Sequence, residues 1–171
     1  YEKDGIHSSD ADLAIYVRPE TGNNILIGSE DPPCDPQVWV DDPDDYDTVV
    51  SDEQWNAQVL RLARRMPGLR IPNEKKGIVD LYDVSDDWIP IYDRTDLDGF
   101  YVAIGSSGNQ FKNAPVAGHC MAELIEAVEN GHDHDADPVK VTGVYTGLVM
   151  DMGFYRRNRE INPNSSFSVN G

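Results

Sequence analysis

The stretch GFYVAIGSSGNQFKNAPVAGHCMAELIEAVENG, residues 99–131, constrains the fold more than any other part of the chain. Its first seven residues, GFYVAIG, are rich in β-branched and aromatic side chains with a glycine at each end, the pattern of a short strand. Ala117, Met121, Leu124, Ile125 and Val128 then recur at helical spacing, with Asn113 expected as N-cap, Pro115 in the first turn and Gly131 as the stop. A strand, a glycine turn and a helix are therefore expected in that order. The positive end of the helix dipole would face out of the turn, a geometry suited to an anion. By itself the same turn also fits an ordinary left-handed connection between a strand and a packed helix.

The charge balance narrows the classes of partner. The 171 residues carry 31 acidic against 14 basic side chains, a formal net charge of −17, and only 5 of the basic residues are lysine. Nucleic acid is disfavoured as a partner, since phosphate binding needs the opposite sign. Acid collects in DDPDDYD (Asp41–Asp47), SDD (Ser85–Asp87) and HDHDAD (His132–Asp137), either as a solvated surface or as adaptation to high salt. No apolar run approaches the roughly 20 residues that span a bilayer. Cys34 and Cys120 have neither metal spacing nor a disulfide framework, so the expected setting is reducing and cytoplasmic.

Along the chain, LAIYVRP and NILIG flank ETGN as a hairpin. A Pro/Asp-rich loop follows from Cys34 to Val50, with one short strand expected at QVWV. SDEQWNAQVLRLARRMPGL opens on Ser51 as N-cap, with acids in its first turn and arginines in its last. Trp55, Val59, Leu62 and Met66 form the stripe of an amphipathic helix. KGIVDLYDVS and DWIPIYDRT look like strands, Asp96–Gly99 turns the chain back, and PVKVTGVYTG holds a further short strand before a polar, irregular tail. The expected class is α+β. Neither GxGxxG nor GxxxxGK[ST] occurs, so a nucleotide site here lacks its usual phosphate loop.

DDWIPIYDRTDLDGFYVAIGSSGNQFKNAPVAGHCMAELI, preceded by GIVDLY, resembles the signature PDxxPxIG … GxYxAxGxSGxGFKxAPxxGxxxAxLI. That signature belongs to the D-amino acid oxidase superfamily of FAD-dependent oxidoreductases, in its sarcosine oxidase, dimethylglycine dehydrogenase and glycine oxidase branch. The resemblance is strongest over Gly77–Asn130 and weaker over Ala11–Leu69. Asp86 stands where the family has proline, Tyr92 where it has a glycine, and Gln110 where the turn has its third glycine.

The resemblance implies a mixed substrate-domain sheet and a strand, turn and helix that contribute to an FAD-binding domain. It also implies that the chain is a fragment, whose partner is the missing N-terminal half carrying the Rossmann-like βαβ unit. Residues 1–76 would be a substrate-domain portion, 77–131 the flavin-contacting portion, and 132–171 an acidic loop, short strand and tail. Gly105, Ser106, Ser107, Gly108, Asn109, Gln110, Phe111 and Lys112 match the turn beside the isoalloxazine. Lys112 matches a lysine that faces the flavin, and Tyr82 an active-site aromatic. Asp80 stands where some relatives tether FAD through cysteine, so the FAD is expected to be non-covalent.

The activity so implied is oxidation of a C–N bond in a small amino acid or N-methylated amine by hydride transfer to flavin. The alternative is a stand-alone acidic binding domain without cofactor. Arg18 is a weaker candidate for the substrate sheet. His132 and His134 have no defined third ligand and are expected in a solvated loop rather than a metal site. DRTDLDG fails the calcium-loop register, because position 12 from Asp93 is Ile104. His119 and Cys120 have no partner for a nucleophilic dyad.

Overall fold

A computed structural model describes residues 3–35 and 37–169; residues 170–171 of the expected tail lie outside them. The fold is α+β, with small sheets and two α-helices in two compact units, Tyr1–Leu81 and Tyr82–Gly171.

In the first unit, β1 (Ser8–Asp10), β2 (Ile15–Glu20) and β3 (Asn24–Ser29) form a sheet in the order β1-β2-β3. The expected hairpin is β2–β3, paired from Ile15↔Ser29 to Glu20↔Asn24. The expected mixed sheet is antiparallel in every pairing among the described residues. The short connections explain this, since parallel neighbours need a long crossover. Helix α1 (Asp52–Arg65) packs against β2 and β3. Ser51 caps it as expected, its Oγ accepting from the Gln54 amide at 3.1 Å. Val59 and Leu62 are buried with Ile15, whereas Trp55 and Met66 are half-buried.

Two expected strands are absent among the described residues. QVWV is coil with Val38 and Trp39 exposed, and residues 76–85 also form no ladder. β-Propensity expresses itself only where a neighbouring strand supplies the ladder. Here the Asp83 carbonyl is instead taken by a loop amide, that of Ser107, at 2.8 Å.

The second unit is built on the hairpin of β4 (Ile91–Arg94) and β5 (Tyr101–Ile104), against which α2 (Ala114–Glu129) packs. A second hairpin, β6 (Lys140–Thr142) with β7 (Val149–Asp151), follows. The core contains Tyr92, Cys120, Leu124, Val139, Val141 and Met152, with Ala117, Met121, Val128 and Tyr155 packed on it. Leu124 is the best-buried residue of the stripe expected for α2.

The two ends of α2 differ. Gly131, at φ 89°, donates to the Val128 carbonyl at 2.9 Å, and His132 donates to Ala127 at 3.0 Å. This pair of bonds is a Schellman stop and confirms the expected terminus. Asn113 is not an N-cap: it has helical φ/ψ and its side chain makes no cap bond. A 3-10 turn over Gln110–Asn113 runs directly into α2. The helical segment therefore begins at Gln110, and the unpaired N-terminal amides move four residues toward the glycines.

Candidate functional site

The glycine turn leaves β5 through three left-handed residues, Gly105 (φ 69°), Ser107 (φ 48°) and Gly108 (φ 77°). Glycine adopts this region without penalty, but Ser107 requires support from its surroundings. Asp83 supplies it. One carboxylate oxygen accepts from the Gly105 amide, and the other accepts from the Ser106 amide at 3.0 Å and Ser106 Oγ at 2.8 Å. The Asp83 carbonyl takes the Ser107 amide, and Ser107 Oγ donates to the Gly105 carbonyl at 3.3 Å. Partial burial pulls the Asp83 carboxyl up, but the bonds from Ser106 and Gly105 outweigh it and hold it below the usual carboxylate range.

Tyr82 holds the far side of the turn. A Cβ on Gly108 would lie 3.3 Å from the Tyr82 ring and 3.1 Å from Val169, so only glycine fits there without displacing a neighbour. Tyr82 is 45% exposed and meets Trp88 edge-on, with ring centroids 6.5 Å apart.

Beyond Gly108, side chains knit the 3-10 turn together. Gln110 donates to Asn109 Oδ1, while its own Oε1 accepts from the Tyr92 hydroxyl at 3.1 Å and from Asn113 Nδ2 at 3.0 Å. Asn109 Nδ2 is buried and makes no hydrogen bond among the described residues. Phe111 is 97% exposed, and Lys112 beside it is also exposed.

Of the residues expected at the site, the structure brings Tyr82 against the Gly108 end of the turn. It commits the amides of Gly105, Ser106 and Ser107 to Asp83. The amides that begin the 3-10 turn, Gln110 and Phe111, have no intrahelical acceptor by geometry, and Lys112 is the next residue of the same turn. Arg18 is a sheet arginine paired with Glu20 at 3.1 Å.

Asp83 escaped the sequence reading because its partners lie 22 and 23 residues away. Its one local signal is its place directly after Tyr82. The sequence reading also missed the charged bonds beside the site. Asp87 is fully buried and binds Arg159 through both oxygens, at 2.6 and 3.1 Å. Burial raises its pKa, but Arg159 and the amides of Asn162 and Ile89 lower it further, to about 2.

Asp93, also fully buried, takes the Arg157 amide at 2.8 Å and its guanidinium at 3.1 Å. His134 corrects the expectation of a solvated loop. It is fully buried, its Nδ1 accepts from the Val139 amide at 3.1 Å, and Nε2 lies 3.6 Å from Asp93. Burial lowers its pKa. His132 is exposed. No group of three or more metal-ligating side chains occurs among the described residues.

The family model described as FAD dependent oxidoreductase matches residues 2–124, which cover the first unit, the glycine turn and most of α2. The chain belongs to the FAD dependent oxidoreductase family. No curated protein and no solved structure matches it. No helix among the described residues is long and apolar enough to cross a membrane.

The turn can be tested against the cofactor that names this family. The pyrimidine edge of a flavin carries acceptors on which charge grows during reduction, so it needs donors of positive potential. The Gln110 and Phe111 amides, the unpartnered Asn109 Nδ2 and Lys112 have that character. The residues present therefore fit the edge of a flavin through the start of the 3-10 turn rather than through Gly105 and Ser106.

Proposed function

We propose that the chain is the substrate-domain and flavin-contacting portion of an FAD-dependent oxidoreductase of the sarcosine oxidase-like branch. It would act on a small amino acid or N-methylated amine. The observation that carries this reading is the family match running through the left-handed glycine turn, with Tyr82 at one end and Lys112 at the other. Residues 1–76 would face substrate, 77–131 would meet the cofactor, and 132–171 would brace the latter.

FAD would supply the hydride acceptor. The substrate α-carbon or N-methyl carbon loses a hydride, its nitrogen loses a proton, and water then hydrolyses the imine. Lys112 would place a fixed positive charge beside the developing negative charge or the substrate carboxylate, and Tyr82 would wall the site. The signature's pyrophosphate-binding unit is not among these residues, so the chain by itself should bind FAD weakly. Asp80, which accepts from the Tyr46 hydroxyl at 3.1 Å, lacks the thiolate needed for a thioether, and the FAD would be non-covalent.

The test is to purify the complete protein that contains this chain and reduce it anaerobically with N-methylated and unmethylated amino acids. Bleaching of the flavin by one of them, with yellow colour left in the supernatant after acid precipitation, is the expected result. A complete protein without flavin would favour an acidic binding domain that retained the fold.

A further inference from the structure

The strongest unexplained feature is a carboxylate filling the anion nest that a cofactor would otherwise be expected to use. Successive amides around left-handed residues make a concave, positive site, and here the Gly105 and Ser106 amides both point at Asp83. The adjacent residue, Tyr82, packs on Gly108. Residues 82 and 83 thus hold both ends of the turn, and Ser107 is kept left-handed and fully buried between them.

We infer that Asp83 is a positioning residue for the flavin contact. It neutralises the first half of the turn and sets the direction in which the 3-10 turn presents the Gln110 and Phe111 amides and Lys112. The inference rests on the proposed function. Asp83 touches neither the cofactor nor the substrate; it acts through the backbone it holds. A shift of about 1 Å in such a backbone is enough to change a reaction rate by two orders of magnitude. Two features make Asp83 more than a loop stabiliser. It places a negative charge where the turn would otherwise be positive, and it supports a strained non-glycine residue directly before the glycine that Tyr82 covers.

The test uses Asp83→Ala, Asp83→Asn and Ser106→Ala. Asparagine keeps one carbonyl oxygen for the two Ser106 bonds and loses the acceptor for Gly105. Alanine at 83 loses all three side-chain bonds, and Ser106→Ala loses one. In the complete protein stripped of cofactor, exchange of the Gly105 and Ser106 amides should accelerate about tenfold or more in Asp83→Ala. Asp83→Asn should restore Ser106 and not Gly105.

In the complete protein, Asp83→Ala should retain FAD, shift the flavin absorption bands and lower the anaerobic reduction rate about tenfold, with KM little changed. Asp83→Asn and Ser106→Ala should fall between it and the unaltered protein; they carry the test if the alanine variant does not fold. Unchanged amide exchange would overturn the inference. So would flavin bands and reduction rates that ignore all three substitutions while the unaltered protein holds FAD. An unaltered protein without FAD would instead overturn the functional reading, and this inference with it.

Discussion

Aspartates in two stretches of this chain, DDPDDYD (Asp41–Asp47) and DWIPIYD (Asp87–Asp93), behave differently in the fold. Asp41–Asp47 is exposed at every aspartate, and its carboxylates serve local turns, Asp42 accepting from the Asp44 amide at 2.9 Å and Asp47 from the Val49 amide at 2.8 Å. In the stretch from Asp87 to Asp93 both named aspartates are fully buried, and each is met by an arginine from a segment 64 to 72 residues further on. The first stretch supplies solubility and repulsion. The second is an internal joint, in which Arg157 and Arg159 tie the segment after the 3-10 turn Met152–Tyr155 to the start of β4. An aspartate's role here is decided by whether a distant arginine reaches it, which composition does not encode.

The largest contrast should come from removing one arginine. Arg159→Ala leaves the buried Asp87 charge without its guanidinium, and breaking a buried pair from one side costs about 3–5 kcal/mol. Asp44→Asn in the exposed stretch should stay within about 0.5 kcal/mol. Urea unfolding of both variants measures the difference. Equal losses would erase the distinction between the stretches.

Acid should separate them next. The Asp87 pKa is lowered from 3.8 to about 2 in the fold, so its contribution is complete above 3.8 and is lost as pH falls toward 2. That contribution amounts to about 2 kcal/mol. Asp135, held low chiefly by its bond with Arg157, adds in the same direction. Stability followed from pH 5 to pH 2 should fall steeply in the unaltered protein and more gently in Arg159→Ala; parallel curves would show that the acid limb arises elsewhere.

The smallest effect concerns salt. With a net charge of −17, repulsion among exposed carboxylates should be screened by added KCl, and the buried joint should hardly respond. A Tm increase of about 2–4 °C, equivalent to about 1 kcal/mol in a domain of this size, is expected from low to molar KCl. A flat Tm would leave the acidity as a matter of solubility alone.

The sequence disclosed what is local. The Ser51 cap, the stripe Val59 and Leu62, the β2–β3 hairpin and the Gly131 stop all follow from residues within a few positions of one another. It misjudged what depends on partners. QVWV has strand propensity with no neighbouring strand, and Asn113 was displaced as a cap because Gln110 extends the helix ahead of it. At the turn, the glycines were visible because the connection must be left-handed and flanked by strand and helix, whereas Tyr82 and Lys112 were marked only by the resemblance to the family signature. Asp83 and the tail arginines were not, because their bonds span 22 to 72 residues and carry no periodicity.

The proposed function requires the turn leading to Lys112 to lie beside a reacting flavin. Stopped-flow measurement of the two half-reactions in the complete protein carrying Lys112→Met tests it most directly. Undiminished FAD content is expected, with flavin reduction or reoxidation slowed about tenfold or more, because a fixed positive charge has been removed from the edge where negative charge develops. Full FAD content with both half-reactions at unaltered rates would contradict it.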